Sequence, residues 1–380
     1  MPPWLRLAIG CGATLLVGMG IGRFSYTPLI PAIILDGSLS AAEAGYVGAF
    51  NLGGYLLGAL AVPLLRRRFR TLPVLKAALL VSLICLVASI FPFGFLWLAW
   101  WRGLVGITVA VLMIYSLALV TTSVPGDRLG KATGVAFTGV GTGILLSGTL
   151  VPALLEMSLA AAWTGLAVVG GVGVALGWWG LAIAREAREP ERRAAPPADG
   201  ASSRLVAAQG LFAIGLVPHS IYWVDYVARG LDLGMGEGGV QWALVGIGAV
   251  GGTYLCGWLA DRIGFAAALV LVFAVLAVGI AVPVLLPVAP VLVASSLIFG
   301  AQPGLSAVIS GRARQVVGAR DMPHVWRRMV LSVGLCQTVG GYALVALFNA
   351  TGSYTPVFLV GGAAMALGAA LSLPVWGRRR

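Results

Sequence analysis

The chain has 380 residues, of which 59% are hydrophobic and 10% charged, with a formal net charge of +12. Soluble domains carry about 25% charged residues, so this composition excludes a soluble enzyme and points to an integral membrane protein. The positive charge does not form a nucleic-acid-binding patch either, because the basic residues sit in short segments between apolar stretches.

Apolar stretches long enough to cross a bilayer core of roughly 30 Å recur twelve times, at 5–33, 41–65, 72–91, 95–122, 130–155, 160–184, 205–228, 237–260, 265–287, 289–311, 325–349 and 354–376. The first contains Gly20-Ile-Gly-Arg23-Phe-Ser-Tyr26-Thr27-Pro-Leu-Ile-Pro31, which places an arginine deep in a membrane helix. An arginine there costs on the order of 3 kcal/mol on insertion scales and normally faces a cavity or a partner. The second span carries Asn51 and is followed by Arg66, Arg67, Arg68 and Arg70; the third is apolar. The fourth carries Arg102. The fifth has a seam of glycines, Gly134, Gly139, Gly141, Gly143 and Gly148, which permits close helix contact.

Residues 185–204 mix Arg and Glu with Ala, Pro and Gly and read as a flexible linker. They divide the chain into two six-span bundles, 1–184 and 205–380. The seventh span carries His219, Tyr222, Asp225 and Tyr226. The eighth carries Gln241 and ends in Asp261-Arg262, the tenth carries Gln302 and the eleventh Gln337. Spans 3, 6, 9 and 12 hold no strongly polar residue at depth, so they are expected to face lipid while the others line an interior. A weak repeat pairs Gly58-Ala-Leu-Ala61 with Gly257-Trp-Leu-Ala260 at an offset of 199 residues. Of the 25 basic residues, all but Arg23, Arg102 and Arg229 fall on one face under this topology. By the positive-inside rule both termini are cytoplasmic.

Several of these residues resemble the major facilitator superfamily. Gly257-Trp-Leu-Ala-Asp261-Arg262-Ile-Gly264 resembles its Gly-x-Leu-Ala-Asp-Arg-x-Gly signature, with a degenerate first-half copy in which Val62 and Pro63 replace Asp and Arg. Arg102-Gly-Leu-Val-Gly106 resembles its Arg-x-x-x-Gly motif. The Gly-Pro step typical of drug/proton antiporters is missing from the fifth span. The Gly20–Pro31 stretch is similar to the first helix of the YbfB/YjiJ-type bacterial branch. This resemblance implies an all-α membrane fold of twelve helices in two bundles, peripheral spans 3, 6, 9 and 12, and a solute carrier of the bacterial inner membrane.

Each polar residue has two readings. Arg23 either binds an anionic group, with Tyr26 and Thr27 one turn away, or is a fixed structural charge; no carboxylate lies at mid-depth in the first half. Arg102 either contacts solute, takes part in coupling, or is a packing hub. His219 and Asp225 are the titratable candidates for proton coupling, and Arg229, at i+4 from Asp225, offers a local ion pair instead. Asn51, Tyr222, Gln241, Gln302 and Gln337 contact solute or bridge helices. Asp261 and Arg262 are expected to form a conformational latch. The four cysteines lie in apolar spans without a Cys-x-x-Cys pairing, and no disulfide, metal or cofactor is expected.

The expected function is secondary active transport of a small anionic or zwitterionic solute by alternating access, with protons as a coupling ion, by a monomer in the bilayer. An exporter of amphiphilic or cationic compounds and a non-transporting membrane sensor are the alternatives. An intramembrane enzyme is disfavoured, since Asp-rich motifs are absent and the carboxylates at the outer ends are isolated.

Overall fold

The computed structural model describes residues 1–184 and 200–373. Among the described residues there is no strand. The spans are α1 Pro3–Leu35, α2 Ala41–Arg68, α3 Thr71–Ala88, α4 Phe95–Ser123, α5 Leu129–Leu155, α6 Leu159–Leu181, α7 Gly200–Gly230, α8 Gly234–Ile263, α9 Phe265–Val284, α10, α11 Arg320–Thr351 and α12 Tyr354–Ser372. Helix α10 consists of Ala289–Gly300 and Pro303–Gly318, bent by 44° where Ala301 and Gln302 precede Pro303.

Local chemistry fixes where these helices begin and end. The Ser40 side chain accepts the Glu43 N–H at 3.3 Å while the Glu43 carboxylate accepts the Ser40 N–H at 2.8 Å, a capping box at the start of α2. Ser158 caps α6 through the Ala161 N–H at 3.0 Å. Arg6, at the start of α1, donates to the Trp179 carbonyl at the end of α6 at 2.8 Å. Arg204, at the start of α7, donates in the same way to Leu373 beyond α12 at 3.2 Å. A charged side chain thus satisfies a helix-end carbonyl, and each half closes on itself by the same device.

Two boundaries differ from the sequence expectation. Residues 185–199 of the expected linker lie outside the described residues, but 200–204 already form the first turn of α7. The basic stretch between α10 and α11 is helical rather than a loop, interrupted only at Gly318, whose φ of 78° breaks the helix. His324 therefore lies on a helix. A short polar segment can continue a helix when both flanks are helical, and the charge pattern does not reveal this.

Glycines set the closest approaches. On α2 and α4, a Cβ at Gly106 would stand 2.1 Å from the Asn51 carbonyl oxygen, and one at Gly54 2.0 Å from that of Gly103. On α8 and α10, Gly300 stands in the same relation to Val245 at 2.2 Å, and Gly248 to Leu297 at 2.4 Å. Each pair is displaced by 194 residues, not by the 199 of the Gly58/Gly257 match. Gly58 meets Ile107 and Ala110 on α4, its packing equivalent Gly252 meets Ala301 on α10, and Gly257 meets nothing within 4 Å. Helix contact fixes the true register. The Gly-x-Leu-Ala similarity lies on a less constrained helix end.

The two six-helix bundles meet through α5 against α8, α2 against α11, and α1 against α7. The principal contacts of α3, α6, α9 and α12 stay within their own bundle, the arrangement expected from their lack of deep polar residues. Gly106→Val is expected to lower stability by about 2 kcal/mol or more through overpacking, while Gly257→Ala changes it by less than about 0.5 kcal/mol. Thermal unfolding of the two variants in lipid or detergent checks this; equal loss in both would mean that the contact register is wrong.

Candidate solute site

Helix α1 is not uniform. It runs as an α-helix to Leu15, as a wider π-helix over Leu16–Arg23, as a tighter 3-10 helix over Phe24–Leu29, and as an α-helix again from Ile30. Pro28 and Pro31 remove backbone donors from this region. Such changes of pitch strand carbonyl groups and accompany functional sites. Two carbonyls of this segment accept from side chains: Ser25 Oγ donates to Ile21 O at 2.5 Å, and Arg102 Nη2 on α4 donates to Arg23 O at 3.0 Å. Asn51 on α2 donates in turn to the Arg102 carbonyl at 2.9 Å.

The two arginines are thereby brought to one place. Arg102 is fully buried and Arg23 is 8% exposed. They share a cavity of about 20 Å³ whose other lining residues are Phe24, Tyr26, Gly48, Asn51, Leu52, Ser220 and Ile221. Arg23 Nε and Arg102 Nε and Nη1 are buried without a hydrogen-bond partner. Among the described residues no carboxylate lies within 4 Å of either guanidinium. Aromatic faces supply part of the missing stabilisation. Arg23 Cζ lies 5.3 Å from the Phe24 ring centroid and 5.7 Å from that of Tyr55, and Arg102 Cζ lies 4.9 Å from that of Tyr26. A desolvated cation–π contact is worth about 2 kcal/mol, whereas a buried ion carries an effective penalty of several kcal/mol. The rings offset only part of the cost.

The walls of this cavity also join the two bundles. Thr27 Oγ1 on α1 donates to Ser220 O on α7 at 2.5 Å, while Tyr26 ties α1 to α2 within the first bundle by donating to Ala44 O at 3.0 Å. Trp242 on α8 donates to Ser147 on α5 at 3.2 Å. Toward the Arg-rich end, a Cβ at Gly134 on α5 or at Gly257 on α8 would meet nothing within 4 Å.

The remaining candidates lie elsewhere, inside the second bundle. His219 is fully buried and stacked between Trp223 and Phe299, with ring centroids 4.4 and 4.5 Å away. Ser295 Oγ gives its proton to Gly279 O at 2.7 Å, so at 2.8 Å it accepts from His219 Nε2. That assigns the neutral Nε2–H tautomer, with Nδ1 unpartnered. Gln241 bridges helices: its Oε1 accepts from Ser296 at 2.7 Å and its Nε2 donates to Glu237 at 2.8 Å, while Trp223 donates to Ser296 at 2.9 Å. Tyr222 packs on Phe348 and Tyr354, with its hydroxyl buried and unpartnered. Gln302 sits at the bend of α10 and Gln337 is buried on α11; neither lines the cavity.

Asp225 is held completely. Arg229 Nε and Nη2 reach its two oxygens at 2.6 and 3.1 Å, and the Tyr354 hydroxyl donates at 2.7 Å. This is the i+4 pair, extended to α12. Asp261 is exposed and has no ion pair among the described residues; Arg262 lies over the Trp258 ring at 4.8 Å.

Ser220, Tyr55 and Phe24 complete the site and were not singled out from the sequence. Serine is common in membrane helices because it can bond within its own helix, so only the facing arginines distinguish Ser220.

Residues 15–373 match the family described as "Uncharacterised MFS-type transporter YbfB". The chain belongs to this family. No curated protein sequence matches it significantly. Among solved structures, it is similar to a bacterial homolog of the human lysosomal transporter Spinster in an inward-facing, unoccupied conformation. That match has TM-score 0.65 and 16% identity, covering 98% of this chain and 95% of the other. It is also similar to a POT family transporter in complex with 5-aminolevulinic acid, with TM-score 0.74 and 12% identity over 95% and 94% of the chains. At these identities the likeness is one of fold. The protein is a multi-pass membrane protein of a transporter family with the major facilitator architecture.

For this transporter, Tyr354→Phe is expected to cost about 1 kcal/mol through a lost hydrogen bond. Asp225→Asn should cost about 2 kcal/mol or more, since it leaves the half-buried Arg229 without its counter-charge. The double variant should cost less than the sum, as the three groups form one network. Additive losses in thermal unfolding would mean that Tyr354 and Asp225 act independently.

Proposed function

We propose that the protein is a secondary transporter of the bacterial inner membrane, with both termini cytoplasmic, that moves a small organic anion or zwitterion by alternating access. One observation carries the reading: two buried arginines line one cavity, with unpartnered N–H groups and, among the described residues, no carboxylate within 4 Å. Guanidinium groups suit carboxylates through paired, charge-assisted hydrogen bonds. A solute carboxylate would take Arg23 first, because Arg102 is already committed to the Arg23 carbonyl and the Tyr26 ring. Arg102 in this reading holds the irregular turn of α1 through Nη2 and keeps Nε and Nη1 free for the anion.

The position between bundles supports alternating access. The cavity is walled by α1, α2 and α4 on one side and by Ser220 and Ile221 of α7 on the other. Rocking the bundles apart at Thr27 and Ser220 would open it to the end opposite the Arg-rich face. Asp225 is the better-supported coupling group, because its protonation would release both Arg229 and Tyr354. His219 is sealed among aromatic rings away from the cavity and reads as packing.

Two measurements test this. Small carboxylates such as lactate and succinate should raise the melting temperature of the wild type in proportion to occupancy and not that of Arg23→Gln. Stabilisation of both proteins by amines or neutral amphiphiles instead would turn the reading toward export. In proteoliposomes, Asp225→Asn should flatten the pH dependence of uptake while His219→Phe preserves it; the reverse pattern would reassign coupling to His219.

A further inference from the structure

The closed cavity and its charge do not match. Arg23 and Arg102 bring two positive charges to it, and Arg23 Nε, Arg102 Nε and Arg102 Nη1 stand there without acceptors. Ser220 Oγ, from the opposite bundle, is also buried without a partner and lines the same cavity. The space is about 20 Å³, room for roughly one water-sized occupant. A carboxylate brings a carbon and two oxygens together with the rest of its molecule, and does not fit until the bundles separate. A water fits but leaves both charges uncompensated in a membrane interior where screening is weak.

We infer that in this closed state the cavity holds one small inorganic anion of chloride size, bound between Arg23, Arg102 and the Ser220 hydroxyl. This inference rests on the anion reading above and deepens it. The ion makes closure around two buried cations affordable when no solute is present. Solute and ion then compete for the same donors, and the carrier does not close empty. Transport of an organic anion becomes an exchange against chloride, with the chloride-loaded carrier returning through this closed state. Ser220 contributes a donor from the second bundle, so that the ion, like the solute, senses both halves.

The experiment uses the full chain in detergent or nanodiscs, with sodium chloride compared with sodium methanesulfonate, a bulkier anion, at equal ionic strength. Thermal unfolding of the wild type should rise saturably with chloride by several degrees, and Arg23→Gln should lose that rise. Because Arg23→Gln could fold poorly, a second arm uses wild type alone: the apparent affinity for lactate should fall several-fold as chloride replaces methanesulfonate. Ser220→Ala should weaken the chloride response without abolishing the lactate response. Lactate stabilisation with no chloride effect would overturn the chloride site and leave the carboxylate reading standing. Stabilisation by neither anion would overturn both. A chloride effect equal in wild type and Arg23→Gln would be a general salt effect and would also overturn the site.

Discussion

The structure depends on how a membrane interior accommodates two guanidinium groups. Both stay charged, and among the described residues neither has a carboxylate within 4 Å. The protein therefore meets them in other ways: aromatic faces from Phe24, Tyr26 and Tyr55, and the Arg23 carbonyl, which accepts from Arg102 at the point where α1 changes pitch.

The same economy explains the contrast between the halves. In the second bundle every strong polar group except the His219 Nδ1 and a few amide and hydroxyl atoms is absorbed into local networks. Asp225 is neutralised by Arg229, Gln241 by Ser296 and Glu237, and His219 by Ser295. The first bundle leaves its charges open at the boundary between the bundles. That asymmetry makes the first bundle the chemical half of the site and the second the closing half, which contributes chiefly α7 backbone and Ser220.

Glycine supplies the mechanical frame. The α2–α4 and α8–α10 pairs are held at backbone contact by equivalent glycines, so each bundle is closely packed within itself. Between the bundles Thr27 meets Ser220 beside the cavity, which Ser220 also lines.

Much of this was legible in the sequence. Twelve spans, two bundles and the peripheral position of α3, α6, α9 and α12 follow from where lipid forbids polar groups, a rule that acts residue by residue. Arg23 and Arg102 were visible for the same reason, because a charge in an apolar run stands out without any knowledge of its neighbours. Their meeting, the alignment of Ser220 with them, the withdrawal of His219 into an aromatic stack and the extension of the Asp225–Arg229 pair to Tyr354 were not visible. Those depend on helix rotation and on contacts between residues 70 to 200 positions apart. The repeat offset was misjudged for a related reason, since letters at a helix end can match by chance while backbone contact at Gly106 and Gly300 cannot. Sequence alone determined which side chains the membrane could not solvate; only the tertiary structure decided which of them were satisfied, because satisfaction is a property of pairs.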